Sequence, residues 1–178
     1  MTRIAVIDFE TTGISPARGD RATEIAIVLL ERGQVVDRFQ SLMNAGVYIP
    51  AFITQLTGIT NAMVAGAPRA EQVMAHAARF VGEAPMVAHN ASFDRRYWQA
   101  ELALAGLAAP QPFACTVLLS RRLYPEATSH QLGALVQRLR LPKTGAALRA
   151  MVDAEMAAAL LTRMQQDLRT RHAVTDPD

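Results

Sequence analysis

A chain of 178 residues, 51% of them apolar, is long enough for one domain with a sizeable core and too short for two comfortable ones. Its single cysteine, Cys115, excludes an internal disulfide, no Cys/His cluster has zinc-ligand spacing, and no apolar run is long enough for a membrane span. With no export signal at the N-terminus a cytoplasmic chain is expected, and a formal charge of +2, carried almost wholly by arginine since Lys143 is the sole lysine, only weakly favours a nucleic-acid partner.

Residues 3 to 9 alternate like a buried strand, 23 to 33 read as a second strand and 34 to 44 as a third, the last two joined tightly around Gly33. Pro50 starts a short helix that Gly58 ends, and a loop leads to Pro68. Val73, Ala77, Phe80 and Val81 recur at helical spacing until Gly82. A short apolar strand follows at 85 to 90, then a helix that Ser92 can cap and Gly106 can end, then a strand at 113 to 116. From there the pattern predicts helices over roughly 116 to 123, 130 to 140 after a cap at Ser129, and about 145 to 171. Three successive strands and then alternating strands and helices indicate a mixed α/β sheet covered by helices, one domain over 1–172, with 173–178 as a frayed tail.

The first strand ends on Asp8 and Glu10, which project from the same face while Phe9 points away. Two like charges so close repel one another, which is tolerable facing solvent or around a cation. Asp94 stands in the first turn of the helix after the fourth strand, where it is either a helix-dipole acid or a carboxylate held at the sheet's edge. Asp153 adjoins a stripe of Leu148, Val152, Met156, Ala159 and Leu160 on the last helix, while Glu155 points elsewhere.

Four stretches, "VIDFETTG", "LTGIT", "VAHNASFD" and "LRAMVDAE", in this order and at these separations, resemble the DEDD superfamily of 3′–5′ exonucleases. The DnaQ-like (DEDDh) branch, which includes the proofreading epsilon subunit of bacterial DNA polymerase III, is the most similar, over residues 3 to 165. The resemblance implies a ribonuclease-H-like fold, a mixed five-stranded sheet flanked by helices. In it Asp8, Glu10, Asp94 and Asp153 bind two divalent metal ions, magnesium or manganese (Mg²⁺ or Mn²⁺). It also implies that Thr11, Thr12, Gly13 and Ile14, with Leu56, Thr57 and Asn90, hold the 3′ nucleotide of single-stranded DNA or RNA, with Leu56 or Phe93 against its base. His89 and Asn90 would orient the backbone around Asp94.

One position departs from the pattern. The branch carries a general-base histidine five residues before the last aspartate, where this chain has Leu148, and the alternative branch's tyrosine position is Arg149. His76, His89, His130 and His172 are each poorly placed in the sequence to stand in. Losing a general base lowers a rate by about 10²- to 10⁴-fold. Two readings therefore stay open: a slowed exonuclease, and an impaired relative that binds metal and nucleic-acid 3′ ends. No polymerase partner is readable, since "MQQDLRT" lacks the apolar and aromatic tail of a sliding-clamp peptide.

Overall fold

In the computed structural model of the chain, residues 2–143 and 149–172 are described. The expected tail at 173–178, the start of the last helix and Leu148 lie outside the described residues.

Strand β1 (Arg3–Thr11) pairs antiparallel with β2 (Ala22–Glu31), and β2 pairs antiparallel with β3 (Gln34–Leu42). Arg32 and Gly33 join β2 to β3 with φ of 52° and 76°, the two-residue turn whose twist matches that of the flanking strands. Three short helices and turns come next: α1 (Ala51–Thr57), α2 (Asn61–Ala65) and α3 (Ala70–Val81). Strand β4 (Met86–Ala88) leads into α4 (Ala91–Leu104), and β5 (Phe113–Cys115) into α5 (Thr116–Leu123), α6 (Leu132–Arg138) and α7 (Arg149–His172). The sheet order is β3-β2-β1-β4-β5, with β4 and β5 parallel to β1, so the carboxyl ends of β1, β4 and β5 share one edge. This is the expected mixed five-stranded sheet flanked by helices.

Several boundaries differ from expectation for local reasons. β1 runs on through Glu10 to Thr11, because β2 continues to pair with it as far as Ala22. The segment expected as a loop after Gly58 forms α2, capped by the Thr60 hydroxyl, which accepts the Met63 N–H at 3.1 Å. Helix α4 starts at Ala91, before Ser92, because Asn90 takes the left-handed conformation at φ 71° and turns the chain straight out of β4. Helix α6 begins at Leu132; the Ser129 hydroxyl accepts the Gln131 N–H one residue ahead of it.

Two faces of the sheet are covered. β1 residues Ala5, Ile7 and Phe9 and β2 residues Ile25, Ile27 and Leu29 pack under α3 and α4, around fully buried Tyr97 and Trp98. Val6, Ala26, Val28 and Leu30 meet α7 through Ala150, Met151, Ala154, Ala157, Ala158 and Leu161. Toward the sheet this alanine face takes the place of the stripe expected from the sequence: Val152, Met156 and Ala159 are only half-buried, while Leu160 is fully buried as expected but packs with Leu123, Tyr124 and Leu135 of the α5–α6 side. Alanine lets the helix axis approach the sheet closely, whereas the longer side chains sit to the side of the contact. Glu155 does point elsewhere, pairing with Arg38 of β3 at 2.7 Å.

Fully buried Ala154 should therefore resist enlargement. Ala154→Leu is expected to lower the unfolding free energy by about 1–3 kcal/mol, measured as the urea midpoint at constant m-value, through overpacking between α7 and β1.

Candidate metal and nucleic-acid site

Asp8 and Glu10 project from the face of β1 that α7 covers, opposite Ala26 and Glu24 of β2. Helix α7 brings Asp153 to the same place, and one carboxylate oxygen from each of Asp8, Glu10 and Asp153 lies within 4.8 Å of the others. Asp94 comes from the first turn of α4, at the carboxyl end of β4. Its carboxylate is buried, and its Oδ1 accepts the Phe9 N–H at 3.1 Å. Asp94 is thus fixed between the first two acids by the backbone that joins them, beside the three-oxygen cluster and outside it.

Burial pushes the Asp8 carboxyl well above the usual range, with Asp94, Asp153 and Glu10 adding to the effect by repulsion. Burial likewise raises Glu10 to about 7, against the partly compensating charge of Arg149, and Asp94 to about 8. Asp153 is also raised by burial and moderated by Arg149. Asp8 Oδ2 is buried without a hydrogen-bond partner. An orphaned carboxylate oxygen amid others, all resisting ionisation, fits a hard divalent cation, which takes oxygen ligands and supplies the missing positive charge.

The residues expected around a 3′ nucleotide divide in two. Ile14 is 77% exposed and Leu56 62%, so neither is a core residue and both present apolar surface. Arg149, at the start of α7, donates to the Leu56 carbonyl and so ties α1 to the helix of Asp153. Thr11, Thr12 and Thr57, by contrast, are buried and spend their hydroxyls internally. Thr11 donates to the Gly13 carbonyl at 2.6 Å, Thr12 accepts the Arg21 N–H at 3.0 Å, and Thr57 donates to the Ile53 carbonyl at 2.9 Å. Gly13 leaves no room for a Cβ, which would fall 2.4 Å from the Asp20 carboxylate, itself holding the Ser15 N–H. Phe93 is half-buried against Tyr97, ring centroids 5.0 Å apart, and Asn90 is exposed at the head of α4.

His89 does not reach Asp94, contrary to expectation. Its Nδ1 pairs with the Thr116 hydroxyl and its Nε2 with the His130 carbonyl, both at 2.8 Å, because the end of β4 lies against α5 and the chain entering α6. His130 Nδ1 meets the Ser120 hydroxyl, and exposed His76 meets Arg79.

The Exonuclease family matches residues 5–161. The chain belongs to that family. Its fold is the DEDDh type of 3′–5′ exonuclease. The 3′–5′ exonuclease DinG of Bacillus subtilis (strain 168) is 39% identical over 168 residues, 94% of this chain and 18% of its own length. A PolC-type DNA polymerase III of Halalkalibacterium halodurans is 36% identical over 171 residues, 96% of this chain and 12% of that protein. The chain therefore spans less than a fifth of these two relatives. Exonuclease X, solved in complex with 5′ overhanging duplex DNA, superposes with a TM-score of 0.76 at 31% identity, covering 97% of this chain and 94% of the other.

Within this exonuclease domain two further acids shape the site, and sequence reasoning passed over both. Glu24 is fully buried; its Oε1 accepts the Ala150 N–H at 3.0 Å, pinning the first turn of α7, three residues ahead of Asp153. A lone charge inside the apolar run "TEIAIVLL" was the available signal, since an acid buried in a strand needs a partner. Glu101 of α4, 2% exposed, grips Arg21 with both oxygens at 2.9 Å and takes the Ala22 N–H at 3.0 Å, which fixes the return of the loop carrying Thr12 to Ile14. That contact spans 80 positions of sequence and has no local signature.

Two outcomes follow for this exonuclease domain. Because the site carboxyls have higher pKa values folded than unfolded, the folded chain binds more protons, and its metal-free stability is greatest in mild acid and lost as pH rises through about 7 to 8. In EDTA the thermal midpoint should fall between pH 5 and 8.5, less steeply in Asp8→Asn, and added Mn²⁺ should raise it more at pH 8 than at pH 5. Glu24→Ala should lose about 1–3 kcal/mol of stability and raise the Mn²⁺ concentration for half-maximal effect, whereas Glu24→Gln, which keeps an oxygen for the Ala150 N–H, should recover most of both.

Proposed function

We propose that the chain is a divalent-metal-dependent 3′–5′ exonuclease that releases nucleotides from single-stranded DNA 3′ ends, slowed by Leu148 at the general-base position. The observation that carries this reading is the three-carboxylate cluster of Asp8, Glu10 and Asp153, with the unpartnered Asp8 Oδ2, at the carboxyl edge of the sheet. Asp8, Glu10 and Asp153 would hold Mg²⁺ or Mn²⁺, with Asp94 against Asp8 as the fourth acid. When bound, such ions lower the pKa of an attacking water and stabilise the leaving 3′ oxygen.

The chain's own residues do the rest. Arg149 offsets the charge of Glu10 and Asp153 and anchors α1 beside them. Exposed Ile14 and Leu56 offer apolar surface for the terminal base. Thr11, Thr12, Gly13 and Asp20 hold the loop that presents Ile14, and the Tyr97 hydroxyl secures it by donating to the Gly13 carbonyl at 2.6 Å.

A second reading, an end-binding module with impaired cleavage, is favoured by the histidines. His89 has both ring nitrogens engaged away from the acids, and the other two described histidine side chains, His76 and His130, lie against Arg79 and Ser120. No described histidine side chain is therefore free beside the cluster to replace the one absent at position 148.

Degradation of 5′-labelled against 3′-labelled single-stranded DNA with Mg²⁺ or Mn²⁺ separates the readings. The wild type should shorten the DNA from its 3′ end, Asp8→Ala should abolish this, and Leu148→His should raise the rate by about 10²-fold or more. Cleavage that survives Asp8→Ala would overturn the assignment; a silent wild type revived by Leu148→His would establish the end-binding reading.

A further inference from the structure

Around α4 from Asp94, a groove of about 660 Å³ runs between the first turns of that helix, the open edge of β5 and the outer face of α5. Arg95, Arg121 and Arg122 line it together with Phe113 and Leu118, and no acidic residue does. Leu118, Arg121 and Arg122 share one face of α5 by their three- and four-residue spacing, while Thr116, Ser120 and Leu123 bury the other. All three arginines are exposed, and among the described residues none of them enters a hydrogen bond or ion pair. Five arginines elsewhere, Arg21, Arg38, Arg69, Arg138 and Arg163, are ion-paired with acids. In a chain whose net charge is only +2, this groove gathers three guanidiniums with no acid in its lining.

We propose that this groove binds the phosphodiester backbone of a nucleic-acid strand, beyond the nucleotide held at the metal site. Guanidinium groups fork onto phosphate oxygens, and exposed Leu118, 58% accessible, with Phe113 beside it, offers apolar surface to sugars and bases. Arg95 directly follows Asp94 in α4, so groove and carboxylate site occupy adjoining faces of the same helical turn. A strand whose 3′ end enters the acidic site meets a repulsive cluster; an adjacent cationic groove supplies the attraction that holds the remainder. The direction of the strand rests on the exonuclease reading, whereas the groove's affinity for a polyanion does not.

The test is fluorescence anisotropy of an oligothymidylate of roughly twenty nucleotides in EDTA, where no metal-dependent cleavage occurs, over a range of NaCl concentrations. Arg95→Gln/Arg121→Gln/Arg122→Gln is compared with a charge-matched variant, Arg3→Gln/Arg32→Gln/Arg79→Gln, altered at three other exposed arginines. The groove variant should bind more weakly, with the slope of log affinity against log salt shallower by about 0.7 for each arginine removed, and the charge-matched variant should lie near the wild type. Both variants should keep the wild-type rate on a small p-nitrophenyl ester of thymidine 5′-phosphate with Mn²⁺, which reads the metal site alone and shows that they are folded. Equal binding and equal slopes in the two variants overturn the proposal. A wild type that fails to cleave either substrate yet shows groove-dependent binding sinks the exonuclease reading and upholds the groove.

Discussion

Like-charged carboxylates held out of water repel one another and resist ionisation, and the end of β1 gathers Asp8, Glu10, Asp94 and Asp153 into one such place. Much of the surrounding architecture serves to keep them there. The antiparallel β1–β2 pairing continues through Glu10, so the strand does not fray where its charges begin. The backbone N–H of Phe9 holds Asp94, and Glu24 holds the first turn of α7 against the sheet. An arrangement this strained electrostatically is stable around a cation, and the same arrangement at high pH without one loses stability.

The loop after β1 rests on a division of labour between buried and exposed groups. Buried threonines, Gly13, Asp20 and the Arg21–Glu101 pair set the shape of the loop after β1, from which the apolar side chain of Ile14 faces out. Arg149 links that acidic cluster to α1, whose exposed Leu56 faces solvent on the same side of the molecule as the helix start. A basic surface, around Arg95, Arg121 and Arg122, lies one helix face away from Asp94.

The meeting of Asp8, Glu10 and Asp153, the five strands and most of the helices were legible because alternation, helical spacing and the ordered motifs are local in sequence. What escaped was set by partners far along the chain. The packing face of α7 belongs to its alanines because the sheet comes close, a fact that hydrophobicity alone points away from. His89 turned to Thr116 and His130, and Glu24 to Ala150, across 27, 41 and 126 positions respectively. Whether a threonine offers its hydroxyl to a ligand or to its own loop likewise depends on where the chain returns.

The most direct measurement is anomalous diffraction from crystals of the protein soaked in Mn²⁺. The account expects manganese density bounded by the carboxylates of Asp8, Glu10 and Asp153, with Asp94 beside Asp8, and its loss in Asp8→Ala crystals. Density confined to other acids, or an empty cluster at saturating Mn²⁺ and alkaline pH, would contradict it.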